Sequence, residues 1–181
     1  MRILAAPLAF AILSGCAATT PSPPSATPAA TDTYSVREGM VNRINPPATS
    51  IWDLQVEAMD DEGNFDPARM DAATWRSLSR AASALHAEAQ RMANAQTYRA
   101  ADPGGSLGPA PEGTDLAAIQ ARLTANEAGY RSFSRAFESQ AADIVQAVEA
   151  RNTQDLTRLV NDMQPTCKSC HDVFWYPEEY E

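Results

Sequence analysis

The chain has 181 residues, 44% of them hydrophobic, with 14 basic against 23 acidic side chains and a formal net charge of −9. That length suits one ordinary domain with a tail. The acidic balance argues against nucleic acid, whose phosphates it would repel, and three cysteines make too small a set for a disulfide framework.

Residues 1–15 read as a signal peptide. Arg2 supplies a short positive region, and residues 3–13 form an uncharged apolar stretch too short for a stable membrane span. Leu13-Ser14-Gly15-Cys16 resembles a bacterial lipobox, which implies cleavage before Cys16 and acylation of its thiol and new amino group. An ordinary signal peptide with a coincidental cysteine is the alternative. Acyl chains would tether the protein to a leaflet, on the periplasmic side of a bacterial membrane. Ala17-Ala18 lack the Asp that retains lipoproteins in the inner membrane, which slightly favours the outer one. Removal of Arg2 takes the formal charge from −9 to −10. Residues 16–32 are the lipidated Cys16 and a Pro/Ala/Ser/Thr spacer that cannot bury a core. Residues 33–181 are the expected folded domain.

The domain carries no alternating β-branched runs and no Asn-Gly or Asp-Gly hairpin signals, so helices and no sheet are expected. The first helix is predicted over 34–60, with Val36, Met40, Val41 and Ile44 inward before Pro46-Pro47, which should break or kink it. Ile51, Trp52, Leu54 and Met59 follow. A second helix over 71–94 places Trp75, Leu78, Ala82, Leu85, Ala89 and Met92 at steps of three and four. The Pro- and Gly-rich stretch 95–114 has the length of a crossover. A third helix over 115–149 has Asp115 as N-cap, one stripe from Leu116 to Val148, and Gly129 as an internal weak point. A fourth starts at Asn152 or Thr153 and carries Leu156, Leu159, Val160 and Met163. The predicted fold is all-α, an antiparallel four-helix bundle with its cofactor site on the C-terminal helix.

The chemistry concentrates in Cys167-Lys168-Ser169-Cys170-His171. C-x-x-C-H is the attachment pattern of haem c: two thiols three positions apart reach two vinyl groups on one porphyrin edge, and the next imidazole becomes the proximal iron ligand. A bare C-x-x-C also suits a redox dithiol, a disulfide or half a zinc site. Cys16 and His86 are the only other Cys and His, so a second half-site is missing. Met163, Cys167, Cys170 and Phe174 continue the fourth helix's inward stripe, which would put the haem inside the bundle. Pro165 should kink the helix just ahead.

A single haem motif at the C-terminus of a four-helix chain resembles the cytochrome c′ superfamily. The resemblance covers about 34–177. It is strengthened by Met40, Pro46 and Ile51-Trp52 in helix one, and by Asp71-Ala72-Ala73-Thr74-Trp75 opening helix two. It implies one covalent haem c, a distal residue at Met40, haem-packing by Phe174, Met163 and Ile44, and in some members a homodimer through the first two helices. The chain departs from members with a vacant distal site by carrying Trp175 where they carry a basic residue.

The distal side decides the function. Met ligation at Met40 would raise the potential and suit electron transfer, with a periplasmic or membrane redox partner whose basic surface the acidic chain would steer. A core Met filling space is the plain alternative, His86 is the runner-up ligand, and Met59, Met70, Met92 and Met163 have weaker cases. An apolar distal side would leave the iron open to nitric oxide or carbon monoxide. A haem-free helical lipoprotein with a C-x-x-C disulfide is the reading from another class. No hydrolytic constellation or phosphate loop is present, so an enzyme is not expected.

Overall fold

A computed structural model describes residues 32–176. Residues 1–31, which hold the expected signal peptide, the lipobox-like segment with Cys16 and most of the spacer, and residues 177–181 lie outside the described residues. The protein is predominantly helical, with one two-stranded parallel sheet. In chain order the elements are β1 (Thr33–Ser35), α1 (Val36–Gly39), a π-turn (Met40–Ile44), α2 (Asn45–Ala58), α3 (Ala72–Asn94), β2 (Thr97–Arg99), α4 (Leu116–Ala125), α5 (Glu127–Glu149), α6 (Thr153–Asn161) and α7 (Met163–Phe174). No helix among the described residues is long and apolar enough to cross a membrane.

The mostly helical body is compatible with the expected all-α class, and the one small sheet is an addition that the sequence did not signal. β1 pairs with β2 in the register Thr33–Thr97, Tyr34–Tyr98, Ser35–Arg99. The two threonine hydroxyls lie 2.7 Å apart. Three residues per strand are too few for a period-2 signal to register. The pairing ties the start of the domain to the segment after α3.

The first helix differs from expectation at both ends. Its first residues are in β1, it ends at Ala58, and the prolines, expected to break or kink it, stand in the first turn of α2 behind a π-turn. The chain widens just ahead of them, where the Asn45 N–H donates to the Met40 carbonyl. Pro46 lacks an N–H, and its ring would press on the carbonyl four residues back in a regular α-turn. The widened turn makes room for the ring and places the proline pair in the first turn of α2, where missing donors cost little. The extra residue in the turn rotates Val41 out to solvent, 45% exposed, while Val36 and Ile44 stay buried.

Gly39 sits one residue before the π-turn because Tyr34 lies on it: a Cβ there would overlap the Tyr34 hydroxyl and ring. Tyr34 is itself buried and cannot swing clear. Gly39→Ala is therefore expected to destabilise the fold by ~1–3 kcal/mol despite the better helix propensity of alanine. Urea unfolding of the two forms measures this, and equal midpoints would count against the contact.

Next to it, buried Glu38 accepts hydrogen bonds from the Ser35 hydroxyl and, at 3.1 Å, from the Asp102 N–H. Burial pushes its carboxyl up, but these bonds win and hold it below its usual 4.5. The folded state is thus stabilised by ionised Glu38 above about pH 4.5, and loses that contribution as pH falls through the lower folded value. The melting temperature of Glu38→Gln is expected to fall less steeply than that of the wild type on acidification below this range. Parallel curves would remove Glu38 as a source of the acid loss.

α3 matches its prediction. Asp71 caps it by accepting from the Ala73 and Thr74 N–H groups at 2.8 Å, and the whole stripe from Trp75 to Met92 is buried. α3 packs most extensively against α5 and also against α2, and α5 packs on α6.

The predicted 115–149 helix is two helices. Asp115 caps α4 as expected, accepting from Ala117 and Ala118. The chain then turns at Asn126, whose side chain caps α5 by accepting from the Gly129 N–H at 3.0 Å. Gly129 is required by that cap, since a Cβ would meet the Asn126 amide. Asn at this position competes for backbone donors and favours a helix start over a helix interior.

Asn152 caps α6 after Arg151 turns the chain with φ 51°. The C-terminal helix also divides, at Asp162. Pro165 falls in the first turn of α7, so the break precedes it and its missing N–H has no helical partner to lose.

Candidate functional site

α7 presents the C-x-x-C-H residues to the rest of the fold. Met163 and Phe174 at its two ends are buried, at 0% and 2% exposure, and anchor it. Cys167, Cys170 and His171 between them are half-buried. The far end of α7 is tied to α4 by the Arg122 guanidinium, which donates to the Phe174 carbonyl at 3.1 Å. Phe174 stands edge-on to Tyr130, ring centroids 5.2 Å apart, and to Phe133 at 6.1 Å.

Two cavities meet at this helix. The larger, about 200 Å³, lies between the α1/π-turn segment and the end of α7, with Arg37, Tyr130, Phe174 and Trp175 on its walls. The smaller, about 40 Å³, runs toward α3 and α5, with Ile44, Met92, Phe133, Phe137 and Cys167 on its walls. Met40, Cys170 and His171 line both. The walls of the smaller cavity are largely aliphatic and aromatic. Pro111 and Thr114 of the 101–115 loop close one side of the larger cavity. That loop is held by Arg37, which donates to the carbonyls of Gly108 and Pro109 at 2.8 Å; Gly108 has φ 69°, which suits glycine.

Both thiols are free. Burial pushes Cys167 up, and burial together with neighbouring Cys167 pushes Cys170 up to about 12, so both stay protonated at neutral pH. Burial lowers His171 against the opposing pull of Asp172, which keeps its imidazole neutral and its lone pair available. Among the described residues, no cluster of three or more His, Cys, Asp or Glu side chains could hold a metal ion, so a zinc ion bound by protein ligands alone has no built site there.

No protein-family model, curated protein or solved structure matches the chain. The chemistry of the site therefore rests on its own residues. Of those singled out from sequence, Cys167, Cys170, His171, Met40, Ile44 and Phe174 lie together around the two cavities. Met163 does not line either cavity; it is fully buried core beneath α7. His86 is elsewhere as well, with Nε2 3.1 Å from the Glu138 carboxylate between α3 and α5. Cys16 lies outside the described residues.

Sequence reasoning ranked Met92 behind Met40 as a distal ligand and passed over Tyr130 and Phe133 as site residues. Each falls on a predicted inward stripe, but periodicity gives the face of a helix and not the level along it. Arg37, Pro111 and Thr114 had no signal, because the path of an irregular loop is not periodic.

Proposed function

We propose that the chain is a monohaem c-type cytochrome, an antiparallel four-helix bundle with haem c covalently attached at Cys167 and Cys170. It is lipid-anchored at Cys16 on the periplasmic side of a bacterial membrane and transfers electrons to a redox partner. The observation that carries this reading is the smaller cavity: both C-x-x-C thiols, a neutral His171 and Met40 border the same largely apolar space. Thiols, an imidazole and apolar walls are the donor set and surroundings that a covalently held porphyrin needs. Each thiol would add its S–H across one vinyl double bond to give a thioether.

When bound, the iron supplies reversible one-electron chemistry. The chain's own residues set its terms. His171 offers a nitrogen lone pair from the α7 side. Met40 offers a thioether from the π-turn, where the widened backbone fixes its position relative to Pro46. Ile44, Phe133, Phe137 and Phe174 would exclude water from a haem held here, and such surroundings would disfavour the more charged oxidised state. The acidic surface steers a basic partner toward the molecule.

The reduced protein is expected to keep its low-spin optical spectrum under carbon monoxide, because a Met40 thioether would hold the sixth position. Rapid conversion to the carbon monoxide complex would overturn electron transfer as the main role. It would favour a haem protein that binds nitric oxide or carbon monoxide in the space beside Met40.

A further inference from the structure

We propose that Tyr130 selects the distal ligand, by engaging the thioether of Met92 and leaving that of Met40 free. This rests on the haem reading above. Two methionines, from different elements, face the smaller cavity together with Cys167, Cys170 and His171: Met40 from the π-turn and Met92 from the last turns of α3. A soft iron ligand is thus available from either side.

They are not equivalent. The buried Tyr130 hydroxyl donates to the Met92 sulfur at 3.4 Å. The buried Tyr98 hydroxyl donates to the Met92 carbonyl at 3.0 Å. The two tyrosines stand edge-on with ring centroids 4.6 Å apart, and Phe174 packs edge-on against the far side of Tyr130 at 5.2 Å. Met92 is therefore held at both its backbone and its sulfur by an aromatic pair that is itself immobilised. No hydrogen bond among the described residues engages the Met40 sulfur, and Met40 is only half-buried.

A thioether sulfur is a weak acceptor with two lone pairs, so the bond does not exhaust it; the phenol acts by holding the Met92 side chain toward Tyr130. Tyr130 is a positioning residue in this account: it acts on the iron through the methionine it restrains. Burying a phenol also requires some partner for its O–H, and a bond that served only that need would leave ligation unaffected when removed.

The test uses the full-length, haem-loaded protein and reads the spin state of the reduced haem. Wild type is expected to be low-spin. Met40→Leu is expected to lose the low-spin signature, because Met92 stays engaged. Met40→Leu/Tyr130→Phe is expected to regain it as Met92 is released, and adding Met92→Leu is expected to abolish it again. Met40→Leu/Tyr98→Phe frees the carbonyl but not the sulfur. It should remain high-spin, and circular dichroism on each form verifies that the helices persist.

Three results overturn the selection while leaving haem attachment intact: a high-spin wild type, a Met40→Leu protein that is already low-spin through Met92, or a double variant with Tyr130→Phe that stays high-spin. Recovery with Tyr98→Phe in place of Tyr130→Phe overturns the role of the hydroxyl–sulfur bond. A wild-type chain without covalent haem overturns the underlying reading, and this one with it.

Discussion

Serine at both Cys167 and Cys170 is expected to abolish covalent haem attachment while leaving the helical fold in place. Each thiol is half-buried and free, and serine is close to it in size, so neither the packing of α7 nor its anchors Met163 and Phe174 are disturbed. The chemical difference is decisive. A hydroxyl does not add across a vinyl group as a thiol does, so the bonds cannot form. Haem detected on the denatured polypeptide should go from stoichiometric in wild type to none in the double variant. Single variants should retain one thioether and bind less stably. Unaltered attachment in the double variant would exclude the motif as its site.

The second large effect is on stability. Phe174→Ala is expected to cost about 3–5 kcal/mol, because its ring is 2% exposed and packs edge-on against Tyr130 and Phe133. The loss has two parts: the transfer of the removed ring atoms, and the cavity left where the wall of the larger pocket stood. The end of α7 would loosen with it, since the Phe174 carbonyl is the acceptor for Arg122. Denaturant unfolding of the chain without haem isolates the packing term. A cost under about 1 kcal/mol would mean that the site collapses around the smaller residue.

The parts legible in the sequence were those governed by short-range rules. The extent of α3 and its buried stripe from Trp75 to Met92 could be read, while the Asp71 cap is seen only in the structure. Asp115 was legible as a cap, and Asn152 as the start of the last helical segment, by the same short-range rules. The harder places are those where two local rules compete. Pro46-Pro47 reads as a break or a kink, and the chain meets it with a π-turn that sets both rings in the first turn of α2. Asn126 reads as an interior residue of a strongly amphipathic stretch, but its amide captures the Gly129 N–H and starts a new helix. Pro165 reads as a kink, whereas the chain turns at Asp162 and places the proline in a first turn.

The remainder of the site was not legible because it depends on axial level and on loop path. Met92 and Tyr130 sit at the height of the motif only because α3 and α5 pack as they do. Pro111 and Thr114 reach the cavity because Arg37 grips the loop. The β1–β2 pairing, which brings Tyr98 beside Tyr130, is three residues long and joins segments over 60 positions apart. Met163 shares the stripe of Cys167 and Cys170 and is fully buried, but is not among the residues around the two cavities.

The most direct test of the account is a reduced-minus-oxidised spectrum of the protein produced in a host competent for haem c maturation, repeated after denaturation and acid extraction. Haem bands that stay with the denatured polypeptide, in a ratio of one per chain, are the predicted result. A denatured chain without haem bands, with Cys167 and Cys170 recovered as free thiols or a disulfide, would contradict it.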